Sequence, residues 1–306
     1  NGLKAWRISM KILVTGANGQ LGYDVVKEIS RRGHEAIATG TKIINNKSYK
    51  QMDIINPHTV NEIITEVKPD AVIHCAAYTS VDLSSDEKEI AYMINVVGTQ
   101  NLVNACEKIN AKMMYISSDY VFSGEGNKPW KPDCNNYHPL NIYGKTKLLG
   151  EEATSVMLTK YFIVRISWVF GINGKNFVKT MLNHGKTNKE LNVVNDQIGT
   201  PTYTVDLARL LIDMIETDKY GYYHATNEGG YVSWYDFAKE IFKQAIELGH
   251  TEYINTKVNA ITSKELARAP RPLNSRLDKS KLIENGFKLL PTWQDALNRY
   301  LHEIEF

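Results

Sequence analysis

The sequence predicts an α/β fold, a doubly wound parallel sheet with a smaller C-terminal lobe. Three observations support this prediction. A glycine-rich turn separates the first short apolar run from a segment with helical periodicity, and short apolar runs then alternate with helical segments as far as about residue 118. From about residue 173 the alternation becomes irregular, which indicates a second, smaller lobe.

Composition excludes several classes of protein. The 306 residues are 43% hydrophobic, enough for a large core, and 36 basic against 34 acidic residues leave a net charge of +2. So small a charge supplies no field for nucleic acid, and no apolar run approaches the roughly 20 residues that span a membrane. Cys75, Cys106 and Cys134 form no Cys-x-x-Cys pair, so we expect reduced thiols, a cytoplasmic location and no metal. Residues 1–9 precede Met10 and are expected to be a leader or an expression remnant.

The first strand is predicted over residues 11–15, and Gly16, Gly19 and Gly22 follow it before a helix begins. In a Rossmann-type sheet the first glycine of such a turn makes the bend, the second admits a pyrophosphate and the third lets the helix pack on its strand. A glycine turn that binds nothing is the alternative. The position directly after the first strand favours a dinucleotide site.

The second predicted strand, residues 35–39, ends without the carboxylate that would bind an adenosine ribose. Thr39, Gly40, Thr41 and Lys42 stand there instead, which permits NADPH without ruling out NADH. Lys42 is either a partner for a 2′-phosphate or a solvated loop charge. Asp53 ends the next apolar segment and is expected at the adenine side.

The alternation continues with a helix over 57–67, a strand over 71–75, a helix over 87–108 and a strand over 112–117. Ligands of doubly wound sheets lie beyond the carboxyl ends of the strands. That position predicts that Ala76, Ala77, Tyr78, Thr79 and residues 117–120 face the crevice. His74 lies inside a strand and is expected to be a core histidine.

A tyrosine four residues before a lysine shares a helix face with it, so the ammonium can lower the phenol pKa. Five of the 17 tyrosines have a cation at this spacing, where about two are expected by chance. Tyr143 belongs to the first helix after the strand that ends at Ser117 and Ser118. Context therefore predicts Tyr143, Lys147 and Ser118 as the catalytic group.

Five segments, residues 16–22, 75–79, 117–122, 143–147 and 165–169, together resemble the extended short-chain dehydrogenase/reductases that act on nucleotide sugars. Among these, the chain is most similar to the dTDP-4-dehydrorhamnose reductases, and the similarity includes residues 195–201 and 271–275. Dehydratases of the superfamily carry an Asp-Glu pair, where this chain has Asp119 and Tyr120.

The resemblance implies NADPH or NADH as cofactor and reduction of the C4 keto group of dTDP-4-dehydro-β-L-rhamnose. Tyr143 would give its proton to the C4 oxygen, Ser118 would hydrogen-bond that oxygen, and Lys147 would bind the nicotinamide ribose. The implied cofactor-binding residues are Gly16, Gly19, Gln20, Leu21, Gly22, Asp53, Ile54, Ala76, Ala77, Tyr78, Thr79, Tyr143 and Lys147. The implied substrate-binding residues are Ser118, Asp119, Tyr120, Val81, Trp168 and Arg271.

Several alternatives stay open at this point. Trp168 is as well explained as core filler, and Arg271 is chosen from three neighbouring arginines because it begins the family-like segment. Asp24 is expected to be a solvated carboxylate on an exposed helix face. The reaction could be reduction or epimerisation of another 4-keto nucleotide sugar, or the chain could be a non-catalytic nucleotide-binding regulatory subunit.

The predicted organisation is a dinucleotide-binding part over residues 10–172. Residues 173–306 mainly form a substrate-binding lobe that is partly interleaved with the sheet. A homodimer is a family expectation.

Overall fold

The protein is described here by a computed structural model, which covers residues 9–266 and 268–305. Most of the predicted leader, residues 1–8, lies outside the described residues. The strands are β1 (Lys11–Thr15), β2 (Glu35–Gly40), β3 (Tyr49–Gln51), β4 (Ala71–His74), β5 (Lys112–Ser118), β6 (Tyr161–Ile166), β7 (Val169–Phe170), β8 (Glu190–Val194), β9 (Ile198–Gly199), β10 (Thr202–Tyr203), β11 (Gly221–His224), β12 (Val232–Ser233) and β13 (Lys257–Ile261).

The helices are α1 (Gln20–Arg31), α2 (Pro57–Val67), α3 (Lys88–Tyr92), α4 (Gly98–Ile109), α5 (Ile142–Met157), α6 (Phe177–Thr187), α7 (Thr204–Ile215), α8 (Trp234–Glu247), α9 (Ser280–Glu284) and α10 (Trp293–Glu303). A π-helical turn, Met93–Val97, joins α3 to α4, so the helix predicted over 87–108 is not one regular α-helix. No helix in the described part of the chain is long and apolar enough to cross a membrane.

Seven strands form one parallel sheet in the order β11-β6-β5-β4-β1-β2-β3. Leu13 at the centre of β1 lies between Ile37 of β2 and Val72 of β4. The chain runs outward from β1 in both directions, which places a crevice at the carboxyl ends of β1 and β4. The predicted doubly wound sheet is confirmed.

Helices cover both faces of this sheet. On one face α1 packs against α7, with Val25, Ile29, Leu207 and Leu211 in the core. On the other face α2 and α4 contribute buried residues such as Ile64 and Leu102. Because both faces of the sheet are buried, its strands are mostly apolar along their length and do not alternate between apolar and polar residues.

Local sequence explains where the helices begin. Asn56 caps α2 by accepting hydrogen bonds from the backbone N–H groups of His58 and Thr59, and Pro57 follows at the first helical position. Asn141 caps α5 in the same way through the N–H of Gly144. The α2 helix ends where Lys68 adopts a left-handed backbone conformation.

The C-terminal half contributes to the sheet and also forms its own lobe. Both β11 and α7 come from beyond residue 172, yet β11 pairs with β6 and α7 packs on α1. The lobe has a separate aromatic core that includes Phe170, Tyr203, Phe237 and Tyr300. A division of the chain at residue 172 therefore does not coincide with the edge of the sheet.

Candidate active site

A cavity of about 780 Å³ lies at the carboxyl ends of the central strands. It is lined by most of the residues predicted to bind cofactor, namely Gly16, Gly19, Gln20, Leu21, Asp53, Ile54, Ala76, Ala77, Thr79, Tyr143 and Lys147. It is also lined by Ser118, Asp119, Tyr120, Val81 and Trp168. Three predicted site residues, Gly22, Tyr78 and Arg271, are not among the lining residues.

The glycine turn brings backbone close to the cavity floor. Gly16 has a φ of +63°, and a Cβ there would lie 2.7 Å from the backbone nitrogen of Ala76. A Cβ at Gly22 would lie 2.2 Å from the carbonyl oxygen of Gly16, so Gly22 permits helix packing and does not itself reach the cavity. These contacts match the roles expected for the first and third glycines.

The N-terminus of α1 opens into the cavity. Its capping residue, Gly19, offers no side-chain acceptor to the free N–H groups of the first turn, unlike Asn56 and Asn141 at α2 and α5. Gln20 and Leu21 of this first turn line the cavity. This geometry suits the pyrophosphate of a dinucleotide, because an anion there would accept hydrogen bonds from N–H groups that have no side-chain cap.

The end of β2 carries no acidic side chain. Thr39, Gly40 and Thr41 line the cavity here, and Asp53 and Ile54 line it nearby. Lys42 is exposed and does not line the cavity, which agrees with its interpretation as a solvated loop charge. The end of β2 itself therefore has no carboxylate that would repel a 2′-phosphate.

The loop after β4 places one of its side chains differently from the prediction. Ala76, Ala77 and Thr79 line the cavity, but the Tyr78 ring is buried, and its hydroxyl donates to Glu87 Oε2 at 2.6 Å. The Tyr78 backbone N–H donates to Asn95 Oδ1 at 2.8 Å. Asn95 belongs to the π-helical turn and also donates to Thr146 Oγ1, so it joins this loop to the helix that carries Lys147.

Lys147 lines the cavity and is 3% exposed. Its ammonium donates to the carbonyl oxygen of Ile116 at 2.7 Å and lies 4.2 Å from the centre of the Tyr115 ring. Burial lowers the pKa of Lys147 to about 7.

Tyr143 lies one turn earlier on α5 and forms a hydrogen bond with Ser118. Burial raises the pKa of its phenol to about 12, although the hydrogen bond with Ser118 acts in the opposite direction. Lys147 is not among the groups that shift this pKa here, and its ammonium donates to the Ile116 carbonyl, so a lowering of the phenol pKa by Lys147 stays a prediction. A phenol that stays protonated at neutral pH can serve as a proton donor.

Asp119 and Ser117 bring unsatisfied polar atoms to the cavity. Asp119 is 2% exposed, and Oδ1 accepts from Ser118 Oγ at 3.0 Å. Asp119 also interacts with Ser275, which acts to lower its pKa, while Asp119 Oδ2 and Ser117 Oγ have no close hydrogen-bond partner among the described residues. Burial raises the pKa of Asp119 to about 6. Such buried, unpaired atoms are ready to bind the hydroxyl groups of a polar ligand.

Trp168 combines the two interpretations that the sequence left open. It lines the cavity and also packs against the aromatic core of the lobe. Its φ of +52° is rare for a residue with a side chain, and its ring stacks on Trp234 with ring centres 3.7 Å apart. A Cβ at Gly199 would lie 2.9 Å from this ring, so the glycine leaves room for it.

Arg271 is not among the residues that line the cavity. It donates to Asp82 Oδ2 at 2.9 Å and forms a hydrogen bond with Tyr120, which does line the cavity. No sequence pattern predicts a contact between Arg271 and Asp82, since 189 residues separate the two.

Asp24 corrects another expectation. It is buried and accepts a hydrogen bond from Thr204 Oγ1, and burial raises its pKa. It is thus not a solvated carboxylate but part of the contact between α1 and α7. The described residues contain no group of three or more side chains arranged to hold a metal ion.

Sequence reasoning missed Trp234, Gly174 and Lys175, which also line the cavity. All three come from the C-terminal half and reach the site only through tertiary folding. No motif marks them in the sequence, although Trp234 directly follows Ser233, a recognisable helix cap.

The chain is similar to known proteins over nearly its whole length. The family model described as RmlD substrate binding domain matches residues 10–306. The chain is 42% identical to the dTDP-4-dehydrorhamnose reductase of Aggregatibacter actinomycetemcomitans, over 94% of this chain and 97% of that protein. It is 38% identical to the spore coat polysaccharide biosynthesis protein SpsK of Bacillus subtilis, over 96% and 97% of the two chains.

A solved structure is similar over the same extent. The crystal structure of dTDP-4-dehydrorhamnose reductase from Bacillus anthracis in complex with NADP has a TM-score of 0.88 and 38% identity, and the match covers 97% of this chain and 100% of that one. The chain therefore belongs to the dTDP-4-dehydrorhamnose reductase family.

Proposed function

We propose that this protein reduces the C4 keto group of dTDP-4-dehydro-β-L-rhamnose to give dTDP-β-L-rhamnose. As a member of its family it is an NAD(P)H-dependent oxidoreductase. The observation that carries the proposal is the convergence of Tyr143, Ser118 and Lys147 in one cavity with the uncapped first turn of α1. The first three supply acid–base groups, and the turn supplies the anion site that a dinucleotide needs.

The cofactor would lie across the carboxyl ends of the strands. The backbone at Gly19, Gln20 and Leu21 would hold its pyrophosphate, with Asp53 and Ile54 at the adenine side. Ala76, Ala77 and Thr79 would follow its middle, and Lys147 would bind the nicotinamide ribose. The reduced nicotinamide supplies a hydride when it is bound.

The protein's own residues would handle the proton and the sugar. Tyr143 would donate its phenolic proton to the C4 oxygen, and Ser118, already hydrogen-bonded to Tyr143, would orient the same oxygen. Asp119 Oδ2 would accept from a sugar hydroxyl. Trp168 and Val81 would pack against the apolar sides of the sugar. Arg271 would act indirectly, by orienting Tyr120 in the cavity wall.

The first experiment follows the absorbance of the reduced nicotinamide with purified protein, NADPH and NADH in parallel, and dTDP-4-dehydrorhamnose made in the same cuvette. We expect oxidation that requires the sugar and yields dTDP-rhamnose. Cofactor binding without oxidation would contradict the proposal. Other 4-keto nucleotide sugars would then be tried, followed by the alternative of a non-catalytic binding subunit.

The assignment of the acid has its own test. Tyr143→Phe removes the proton and keeps the ring, so we expect turnover to fall by about 10²- to 10⁴-fold with cofactor affinity nearly unchanged. Tyr23→Phe is the matched control, because Tyr23 also precedes a lysine by four residues but is exposed on α1. Near-normal turnover of Tyr143→Phe would overturn the assignment.

The proposal includes a cytoplasmic homodimer. The free thiols Cys75, Cys106 and Cys134 support the location. Light scattering of the purified protein measures the mass in solution, and a mass of one chain would contradict the dimer.

A further inference from the structure

The loop between β7 and α6, residues 171–176, is fastened to the glycine turn. The Gln20 side-chain oxygen accepts from the backbone N–H of Gly171 and from the Asn176 amide, both at 3.0 Å. The Asn173 amide donates to the carbonyl oxygen of Asn18 at 2.8 Å. The loop is thus held in place directly over the start of α1, although its residues are about 150 positions away in the sequence.

The inner side of the 171–176 loop faces the cavity through Gly174 and Lys175. Gly174 has a φ of +100°, and a Cβ there would lie 3.7 Å from the Gln20 Cβ, so this part of the loop is next to the first turn of α1. Lys175 is exposed, and its ammonium has no hydrogen-bond or ion-pair partner among the residues that the structure describes. Lys179, by contrast, donates to the carbonyl oxygens of Ile172 and Gly174.

The charged residues that line the cavity differ in whether they already have a hydrogen-bond partner. The charged lining residues are Asp53, Asp119, Lys147 and Lys175. Lys147 is buried and donates to Ile116, so Lys175 is the lining cation whose ammonium is still available within the described chain. Under the proposed function the cavity receives two diphosphate groups, one in the cofactor and one in the sugar nucleotide. An ammonium is a natural partner for either group.

We infer that Lys175 pairs with the diphosphate of the bound dinucleotide. Lys175 lines the cavity directly after Gly174, which lies next to Gln20, and this favours the cofactor diphosphate over that of the sugar nucleotide. The diphosphate would then be held between the N–H groups of α1 and a cation from the other lobe. This inference rests on the proposed function only in requiring that the protein bind a nicotinamide dinucleotide.

Isothermal titration calorimetry tests the inference without turnover. NADPH is titrated into the wild type, Lys175→Met, Lys175→Arg and the control Lys186→Met, which alters an exposed lysine on α6 that does not line the cavity. We expect the Kd to rise about five- to twenty-fold in Lys175→Met, as for a lost charge-assisted hydrogen bond. Lys175→Arg should recover most of the affinity, and Lys186→Met should match the wild type.

Two further measurements show whether Lys175→Met weakens NADPH binding by removing a charge or by altering the structure of the loop. The affinity difference between wild type and Lys175→Met should shrink as salt is raised, because salt screens an exposed ion pair. The affinity for dTDP, titrated without cofactor, should stay the same. An unchanged NADPH Kd in Lys175→Met, or a loss of dTDP affinity in place of NADPH affinity, would overturn the inference. Failure to reduce the sugar with the NADPH result intact would overturn the proposed function alone.

Discussion

Burial controls the protonation of three side chains that meet at the cavity. It raises the pKa of Tyr143 to about 12 and that of Asp119 to about 6, and it lowers the pKa of Lys147 to about 7. At neutral pH the phenol therefore carries its proton. A reduction needs the acid in this form, whereas the reverse oxidation would need the phenolate.

Asp119 gives a prediction about stability and pH. Its folded pKa of about 6 lies above the ordinary 3.8, so the folded state holds a proton that the unfolded state releases. The contribution of Asp119 to the free energy of unfolding therefore falls as pH rises from about 4 to about 6. Above pH 6 the ionised, buried carboxylate continues to destabilise the folded state. Asp119→Asn should increase the free energy of unfolding at pH 7.5 by about 1–3 kcal/mol.

Urea unfolding at pH 4 and pH 7.5 measures this effect. Asp53→Asn serves as control, since Asp53 lines the same cavity but is exposed, and its substitution should change stability by less than about 0.5 kcal/mol. If the free energy of unfolding of Asp119→Asn changed between pH 4 and pH 7.5 as much as that of the wild type, burial of an ionised Asp119 would not be the cause of that change.

Sequence context predicts which residues of the proposed catalytic group lie together, but not the direction of each side chain. Tyr143, Lys147 and Ser118 could be selected because a helix face and a strand end fix where they lie. That the Lys147 ammonium binds the Ile116 carbonyl depends on packing, and so does the burial of the Tyr78 ring beside Glu87. Trp234 and Lys175 reach the cavity from distant segments and leave no local pattern.

At the scale of elements, α1 makes a very close backbone contact with the glycine turn. A methyl group at Gly22 would lie 2.2 Å from the Gly16 carbonyl oxygen. Because this oxygen belongs to the backbone, no flexible side chain can move aside to make room. Gly22→Ala must therefore move the helix away from the turn. We expect a loss of about 1–3 kcal/mol of stability, as in other overpacked sites, and at least a tenfold weaker affinity for NADPH.

Gly33→Ala is a suitable control for this prediction. Gly33 follows the C-terminus of α1 with a φ of +79°, and a Cβ there would meet no atom within 4 Å. Its substitution should cost about 1 kcal/mol through backbone strain and leave NADPH affinity unchanged. Calorimetric titration and urea unfolding of both variants provide the comparison, and equal NADPH affinities would contradict the role of Gly22.

Elements differ in how far the sequence predicts them. The sheet strands and their intervening helices follow from apolar runs and glycine turns, because each is buried in a regular way. The π-helical turn at Met93–Val97 inserts one extra residue per turn into an otherwise helical segment, and apolar periodicity does not resolve so local a change. The two-residue strands of the lobe are likewise too short to produce a pattern.

At the scale of the whole molecule, the two halves of the chain complete each other. The apolar face of α1 is covered by α7, and the edge of β6 is covered by β11, so residues beyond 172 finish the sheet that the first half begins. Asp24 and Thr204 add a buried hydrogen bond to the same contact. The sequence predicted some interleaving, but which strand and helix cross over is decided by tertiary packing.

A fragment of residues 10–172 should therefore not fold by itself. It would expose Val25 and Ile29 on α1 together with an unpaired edge of β6, and such surfaces favour aggregation. We expect the fragment to be insoluble or to lack a cooperative melting transition in circular dichroism, with the full chain as control. A cooperative transition accompanied by NADPH binding would show that the first half is an independent domain.

The stacked indoles of Trp168 and Trp234 give this molecule an optical property of its own. They form part of the cavity wall, and the emission of indole overlaps the absorption of reduced nicotinamide. Excitation energy absorbed by the pair would pass to a dihydronicotinamide bound in the same cavity, and the oxidised ring would not accept it. Intrinsic fluorescence would thus report the redox state of the bound cofactor, with no label attached to the protein.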